Sequence, residues 1–313
     1  MNRLIKTRKN GKSSAPSQSL IKRIVRDYEL YLFLLPALAY FVIFNYGPMY
    51  GLKIAFQNNL THQWVGLKYF IQFFKSPTIG QLLGNTLAIT LYLFAVSFPI
   101  AIILALMLNE MKHRRYKKVI QAVTYAPYFI SAVVMVGIVT LFLNPDYGIV
   151  NFALKALGRQ PIDFIIKASM FRNIYVWSDV WQNAGYSAVI YLAALSSVDM
   201  ELHEAAVMDG ASRLKRVWHI NLPCIVPTIM ILLIMSVGQI MNVGIDKIFL
   251  FQNNGNLGVS EIIDTFVYKQ GLASQAPNPG FAAAVGMFNN TVNLVLLLIV
   301  NFISRRVSDT SLF

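Results

Sequence analysis

The chain has 313 residues, of which 56% are hydrophobic and 13% charged, and its formal net charge is +13. Soluble domains usually contain about a quarter charged residues, so this composition excludes a single water-facing core. The basic residues lie in short segments between apolar stretches, which favours a role in membrane topology over nucleic-acid binding. With one cysteine, Cys224, the chain can form no internal disulfide.

Six stretches are long and apolar enough to predict membrane-spanning helices, because about 20 helical residues cross the hydrocarbon of a bilayer. The fourth is interrupted by Asp179, Gln182 and Asn183. The first follows a basic tail but is too long for a signal peptide and precedes no cleavage site, so we interpret it as a retained span. The sequence predicts an all-α integral membrane protein with six transmembrane helices. Their expected bounds are 31–52, 82–108, 120–143, 174–195, 225–243 and 280–303.

The Lys and Arg residues are distributed unevenly between the two predicted sides of the membrane. Eighteen of the 27 lie on the side of both termini, and the other nine are spread over the longer loops of the opposite side. Positive charge is retained on the cytoplasmic side of a membrane. We therefore predict that both termini are cytoplasmic, in a multi-pass protein of the bacterial plasma membrane.

No motif predicts catalysis by this chain. Gly11-Lys12-Ser13 resembles the end of a phosphate-binding loop, but Lys6 stands where that loop needs its first glycine. The sequence contains neither a zinc-protease helix motif nor a nucleophile elbow, and its four histidines are scattered. We predict no catalytic residue, no metal site and no ATP hydrolysis on this chain, which is not expected to be an enzyme.

The predicted cytoplasmic loop 196–223 has the local chemistry of two short helices. Asp199 is a candidate N-cap of the first helix, and Gly210 can end it in a left-handed conformation. Ser212 can cap the second helix, and Pro223 suits the first turn of the fifth span. The apolar stripe of the second helix consists of Leu214, Val217 and Trp218.

This loop resembles the EAA loop of permease subunits from binding-protein-dependent ABC importers. The resemblance rests on Glu204-Ala205-Ala206, Gly210 and Ile220-Asn221-Leu222-Pro223, which match that family's pattern in type and spacing. An ordinary helix-turn-helix linker is the alternative. The resemblance implies that the first helix docks on a separate ATPase subunit. The residues it implicates in coupling are Glu204, Ala205, Ala206, Asp209, Gly210, Ala211, Ile220, Leu222 and Pro223.

The segment 31–51 is similar to the start of LplB-like permeases, within the MalF-like superfamily, which import oligosaccharides or polysaccharide fragments. This resemblance implies a MetI-like core of a type I ABC importer. It divides the chain into a basic cytoplasmic tail (1–29), a first helix with its outer loop (30–81), a transport core (82–304) and a C-terminal tail (305–313). The implied partners are a homologous second permease in a heterodimer, two ATPase subunits that bind ATP and Mg, an extracellular solute-binding protein and a carbohydrate.

Polar side chains inside the predicted spans suggest a solute path, because buried polar groups in membrane helices usually face a cavity or a bundle interior. Aromatic belts at the membrane boundary and hydrogen bonds between helices are the alternatives. The candidate pathway residues are Asp179, Trp181, Gln182, Asn183 and Tyr186 in the fourth span, Gln239 and Asn242 in the fifth, and Asn289 and Asn293 in the sixth.

Two other functions compete with an ATP-driven importer subunit. A secondary transporter driven by an ion gradient would need inverted repeats or helices broken at the midplane, and the sequence shows neither clearly. A membrane enzyme acting on lipid-linked glycans would need a catalytic loop on one face, but the acids of the outer loops are dispersed.

Overall fold

The structure, a computed structural model, describes residues 28–307, with side chains as far as Arg305. Most of the predicted basic tail, including Gly11-Lys12-Ser13, and residues 308–313 of the predicted C-terminal tail lie outside the described residues. Within 28–307 the regular elements are helical, apart from one isolated bridge between Gln57 and Trp64. The predicted all-α class is confirmed.

The chain divides into two compact units, residues 1–53 and 54–313. The described part of the first unit begins with α1 (Tyr28–Tyr40), continues through a π-helical turn (Phe41–Tyr46) and ends in α2 (Gly47–Gly51). Its residues are exposed on every side although most of them are apolar. A helix that is apolar all round suits hydrocarbon surroundings.

The second unit contains the remaining helices of the described chain. Its first half comprises α3 (Lys68–Lys75), α4 (Ile79–Asn109), α5 (Arg114–Tyr125), α6 (Ala132–Leu143), α7 (Ile149–Ala156) and α8 (Ala168–Ser196). Its second half comprises α9 (Met200–Met208), α10 (Arg213–Arg216), α11 (Leu222–Val237), α12 (Ile245–Phe251), α13 (Leu257–Ser260), α14 (Ile263–Tyr268) and α15 (Pro279–Val307).

The helices agree with most of the predicted spans. Four helical segments of the described chain, 28–56, 79–109, 213–237 and 279–305, are long and apolar enough to cross a membrane. Helices α5 and α6 satisfy the same criterion as a bent pair. With 29 residues, α8 is long enough for the fourth span, but it does not meet that criterion of length and apolarity. The count of six spans therefore stays a prediction.

The third predicted span is broken rather than continuous. Helices α5 and α6 meet at an angle of 105°, with a 3₁₀ turn at Ala126–Phe129 between them. Pro127 within that turn has no N–H to continue a helix. Ser131 then begins α6 as its N-cap, with its side chain accepting a hydrogen bond from the Val134 N–H at 3.4 Å.

The fifth predicted span ends earlier than expected. Helix α11 stops at Val237, and the segment from Gly238 to Asn242 forms a turn instead of the last turns of a helix ending at 243. Gly238 lies so close to α15 that a Cβ atom there would sit 2.6 Å from Leu297 Cδ1. Gln239 and Asn242, which were expected within the fifth span, lie in this turn instead of on a helix.

Three apolar clusters hold the second unit together. One joins α3, α4, α14 and α15 around Phe73 and Val285, and another joins α4, α6, α8 and α12 around Ile89 and Tyr175. In the third, small residues let α4, α8 and α11 approach closely. Its buried members are Ala101, Ala105, Ala188, Tyr191, Leu195 and Ile225.

Gly185 provides a test of this packing. A Cβ atom at this position would collide with the backbone carbonyl of Thr124, at the end of α5. We expect Gly185→Ala to lower the free energy of unfolding by about 1–3 kcal/mol, as overpacking does elsewhere. The measurement is the thermal unfolding of the purified protein. Gly84→Ala is the control, since its Cβ would meet no atom within 4 Å; equal melting temperatures for the two variants would contradict the close approach of α5 to α8.

Candidate functional site: the coupling loop and the solute cavity

The first helix of the loop, α9, has the ends that the sequence predicts. The Asp199 carboxylate accepts a hydrogen bond from the Glu201 N–H at 2.9 Å, which caps the N-terminus. Gly210 has φ +75°, and the Ala211 N–H returns to the Ala206 carbonyl at 2.8 Å, which closes the C-terminus. Local side-chain chemistry therefore fixes both the length and the exit direction of α9.

The second helix of the loop differs from the prediction, because it is not a separate short helix. Ser212 caps α10, its hydroxyl accepting from the Lys215 N–H at 3.4 Å, as expected. Helix α10 then continues through the π turn Val217–Asn221 into α11, with Pro223 in the first turn of α11. The segment from Arg213 to Val237 is thus one run of 25 residues, which links the loop to the interior of the bundle.

The loop presents an exposed apolar surface beside an exposed carboxylate. Glu204 and Ala205 are exposed, and Ala206 is half-buried. An apolar patch on a loop outside the spans is typical of a protein interface. Its large exposed side chains are Met200, Leu202, Val207, Met208, Leu214 and Trp218.

The base of the loop is tied to a neighbouring helix. Asn221 is fully buried, and its side-chain amide donates to the Glu110 carboxylate at 3.1 Å, at the C-terminus of α4. One turn further on, Ile225 packs against the alanines of α4 and α8. A displacement of the loop would therefore be transmitted to two spans besides its own.

A cavity of about 400 Å³ lies between α4, α8, α11 and the turn that follows α11. No charged side chain lines it within the described chain, and its polar lining consists of hydroxyls and amides. These groups can donate to and accept from sugar hydroxyls, and the aromatic rings offer faces for stacking. The polar lining is Thr90, Ser97, Tyr186, Ser187, Tyr191, Ser236, Gln239 and Asn242, beside Phe94 and Phe98.

Three of the nine predicted pathway residues line this cavity: Tyr186, Gln239 and Asn242. The Tyr186 ring stacks on Tyr128 with centroids 3.8 Å apart, at the break between α5 and α6. Sequence reasoning missed the hydroxyls of the second span. Thr90 and Ser97 are seven residues, or two turns, apart, and this spacing was the available signal.

Ser97 stands out among the missed residues. Its hydroxyl oxygen is buried and has no hydrogen-bond partner among the described residues. A buried unpaired hydroxyl is costly unless something else satisfies it. Its position in the cavity wall makes it a candidate contact for a hydroxylated solute.

The two predicted residues of α15 hold the turn after α11 instead of lining the cavity. The Asn293 side chain accepts from the Met241 N–H at 2.9 Å and donates to the Asn242 side chain at 3.0 Å. The Asn289 side-chain amide donates to the Asp264 carboxylate at 3.1 Å. Burial raises the pKa of Asp264, which lies between the last two spans. Asn293 therefore bonds the turn after α11, and Asn289 bonds Asp264 on α14, so both asparagines join elements of the bundle.

Asp179, Gln182 and Asn183 form a network with Lys247, a residue that sequence reasoning did not place in the site. The Lys247 ammonium lies 3.4 Å from the Asp179 carboxylate and 3.2 Å from the Gln182 side-chain oxygen. Asn183 donates to Asp179 at 3.0 Å, and Gln182 donates to the Ile130 carbonyl at 2.8 Å. Asp179 and Gln182 thus have partners already, and they join α8 to α12 and to the break before α6.

Trp181, the remaining predicted residue, faces a different depression. This groove of about 460 Å³ is lined mainly by apolar side chains of α6, α7 and α8, among them Trp177 and Phe142. The structure therefore separates the polar face of α8 into a cavity wall, a buried ion-pair network and an outer aromatic groove.

Comparison with known proteins shows to which family this chain belongs. Residues 97–309 match the family model of the binding-protein-dependent transport system inner membrane component. The chain belongs to this family of permeases. The matched region contains the loop, the ion-pair network and the cavity lining from Ser97 onward, whereas Thr90, Leu93 and Phe94 precede it.

Relatives of this permease include two proteins of Bacillus subtilis (strain 168). It is 40% identical over 300 residues to the polygalacturonan/rhamnogalacturonan transport system permease protein YteP, covering 94% of this chain and 92% of the relative. It is 38% identical over 301 residues to protein LplB, covering 94% of both chains.

A solved structure is similar over most of this permease. The chain resembles a subunit of a bacterial alginate ABC transporter in complex with alginate pentasaccharide-bound periplasmic protein. The TM-score is 0.87 at 38% identity, with 94% of this chain and 100% of the other covered. The MetI-like permease fold expected from the resemblance is confirmed.

Lys247 and Asp179 offer a double-variant test of the network. Lys247→Met leaves the Asp179 carboxylate without its cation, so we expect a loss of stability of about 3–5 kcal/mol. Adding Asp179→Leu removes the unpaired charge and should restore most of that loss. Thermal unfolding of the wild type, both single variants and the double variant gives the coupling free energy between Lys247 and Asp179. Strictly additive losses of stability would contradict a direct ion pair.

Proposed function

We propose that this permease subunit forms the membrane pathway of an ABC importer for a carbohydrate, an oligosaccharide or polysaccharide fragment. The proposal is supported by its similarity to a polygalacturonan/rhamnogalacturonan permease and to a subunit of an alginate transporter. The observation that carries it is the cavity, whose lining among the described residues combines hydroxyls, amides and aromatic rings with aliphatic side chains and contains no charged group. Such a lining suits a ligand rich in hydroxyls.

Force would come from a separate ATPase through the loop. The exposed apolar residues around α9 would dock on that subunit, and Glu204 would pair with one of its cations. ATP and Mg would bind to the ATPase and not to this chain. Because the segment from Arg213 to Val237 is one helical run, a displacement of α10 would reach Ser236 in the cavity wall.

The assembly we propose contains two permease subunits, two ATPase subunits and an extracellular solute-binding protein. The neighbour's complex with a periplasmic binding protein supports the last of these. We expect the second permease to be a homologous but different chain, so that the two permeases form a heterodimer. In this orientation the loop and both termini face the cytoplasm of a bacterium, and the chain lies in its plasma membrane.

Transport driven by an ion gradient is a second candidate, and one observation favours it. The break between α5 and α6 is the kind of discontinuous helix on which such transporters depend. Uptake measured in proteoliposomes with and without the ATPase separates the two functions. Uptake that follows an imposed ion gradient in the absence of ATP would contradict the ABC proposal.

The coupling role of Gly210 can be tested against a matched glycine. We expect Gly210→Ala to uncouple ATP hydrolysis from uptake, because φ +75° costs a residue with a Cβ roughly 1–2 kcal/mol and the helix end would shift. Gly158→Ala is the control: its φ is +71°, and neither glycine has an atom near its Cβ position. The ratio of sugar imported to ATP hydrolysed should fall only for Gly210→Ala; an unchanged ratio would contradict the coupling role.

The sugar-binding role of Tyr186 can be tested in the same reconstituted importer. Loss of one stacking face is worth about 0.5–1.5 kcal/mol, so Tyr186→Ala should raise the KM for uptake about two- to twelvefold. Trp177→Ala is the control, because Trp177 is equally exposed on α8 but lines the outer groove. A larger effect of Trp177→Ala than of Tyr186→Ala would place the sugar path outside the cavity.

A further inference from the structure

A second kind of site lies at the loop end of the helices, away from the solute cavity. Two hollows of about 530 and 480 Å³ adjoin there, where α4 and α8 end and α5 begins. The two hollows share four lining residues, and together we call them the basal groove. The shared residues are Glu110, Met111, Lys112 and Arg213.

The polar wall of the basal groove is strongly basic. Lys112, Arg213 and Arg216 line it together with His113 and His203. None of the three cations forms an ion pair with a described residue. The Arg216 Nε atom is buried and has no hydrogen-bond partner in the described part of the chain. Lys112 and Arg213 are exposed to solvent, whereas the buried Arg216 donor is costly unless a ligand satisfies it, and an anion in the groove could do so.

The basal groove has little negative charge of its own, and that charge already accepts a hydrogen bond. Glu110 is the one carboxylate among the described lining residues. Its Oε1 atom accepts from the Asn221 side-chain amide at 3.1 Å. One carboxylate cannot balance three fixed cations, so the groove carries a net positive charge at neutral pH.

One side of the groove is apolar and open. Met107 and Tyr116 are each 65% exposed, and Ile120 lies beside them on α5. Helix α5 combines Tyr116 and Ile120 with basic residues such as Arg114 and Lys118. Basic helices with an exposed apolar face are typical of the membrane boundary. The ligand that fits therefore joins an anionic head to apolar tails.

We propose that the basal groove binds an anionic phospholipid, with its phosphodiester between Arg213, Arg216 and Lys112 and its acyl chains along Met107 and Tyr116. Basic pockets at the cytoplasmic ends of membrane helices have this chemistry. The first turn of α5 contributes too, because His113 at its N-cap makes no side-chain hydrogen bond to the free N–H groups. The inference rests on the proposed function for the cytoplasmic orientation of the loop.

The bound lipid would connect two parts of the coupling apparatus. Lys112 lies between α4 and α5, whereas Arg213 and Arg216 lie on the helical run that leads from the loop into the bundle. A head group that contacts both would hold the base of the loop against α4 in addition to the Asn221 bond.

The test uses the assembled transporter in nanodiscs of phosphatidylcholine containing a photoactivatable phosphatidylglycerol. Adducts are mapped by mass spectrometry of peptides, and we expect them within 107–120 and 213–216. Each cation near an anionic lipid surface contributes about a fivefold change in binding, so Arg213→Gln with Arg216→Gln should reduce labelling about 25-fold. Lys117→Gln with Lys118→Gln is the control, since it removes the same charge from α5 outside the groove lining.

A variant with the opposite expected effect distinguishes loss of the lipid site from a folding defect, because a folding defect would not increase labelling. Glu110→Gln keeps an acceptor for Asn221 but removes the negative charge, and it should increase labelling about fivefold. Excess inorganic phosphate should not displace the lipid; displacement would identify a site for free phosphate instead. Equal labelling of the wild type and the double arginine variant, or decreased labelling of Glu110→Gln, would overturn the proposal.

An acidic segment of the ATPase is the other conceivable occupant. A photoreactive residue at position 213 that captures the ATPase rather than the lipid in the assembled transporter would overturn the lipid assignment. Co-purification of the ATPase with this chain is recorded in the same preparation. If the ATPase does not co-purify with this chain, the proposed function is contradicted. If the ATPase co-purifies but the photoactivatable lipid does not label the basal groove, only the lipid site is contradicted.

Discussion

The continuity of one helical run, from the cap at Ser212 to Val237, is the constraint on which the rest of the structure depends. The run passes from a water-facing loop into the bundle and ends at the cavity, where Ser236 is part of the wall. Its entry point is tied to α4 by the hydrogen bond from Asn221 to Glu110. A helix of 25 residues is about 37 Å long, so a push at one end can be transmitted to the other. The loop and the cavity are thus two ends of a single element.

The cavity exists because this run stops early. Beyond Val237 the backbone turns, and its polar groups must be satisfied away from water. Asn293 does this for the Met241 N–H and also donates to the Asn242 side chain, while Gly238 allows α15 to approach. The buried asparagines of α15 therefore shape the cavity without lining it. Their amides support a turn that places Gln239 and Asn242 at the cavity.

The sequence was most predictive for features that depend only on neighbouring residues, such as helix ends. The caps at Asp199 and Ser212 and the left-handed Gly210 were expected from their side chains alone, and each is present. These features depend on residues within one turn of each other, so no tertiary knowledge is needed. The family resemblance was likewise carried by a short motif, and the match of residues 97–309 confirms it.

What the sequence did not predict depends on contacts between distant residues. The pair of Lys247 with Asp179 joins positions 68 residues apart. Hydropathy placed Lys247 outside every span, so nothing local marked it as a partner for α8. Thr90 and Ser97 have a spacing that places them on one face of the second span, but their place in the cavity wall depends on the approach of α8 and α11. Polar residues of one predicted span therefore divided into three environments that periodicity could not distinguish.

The exposed face of α9 allows the most direct test of the account. A photoreactive residue replaces Val207, which is 53% exposed, in membranes containing the assembled transporter. Leu157, 77% exposed in a loop predicted on the opposite side, is the control position. We expect an adduct with the ATPase subunit from position 207 and none from position 157. Absence of the adduct at 207, or its appearance at 157, would contradict the assignment of this loop as the contact that drives transport.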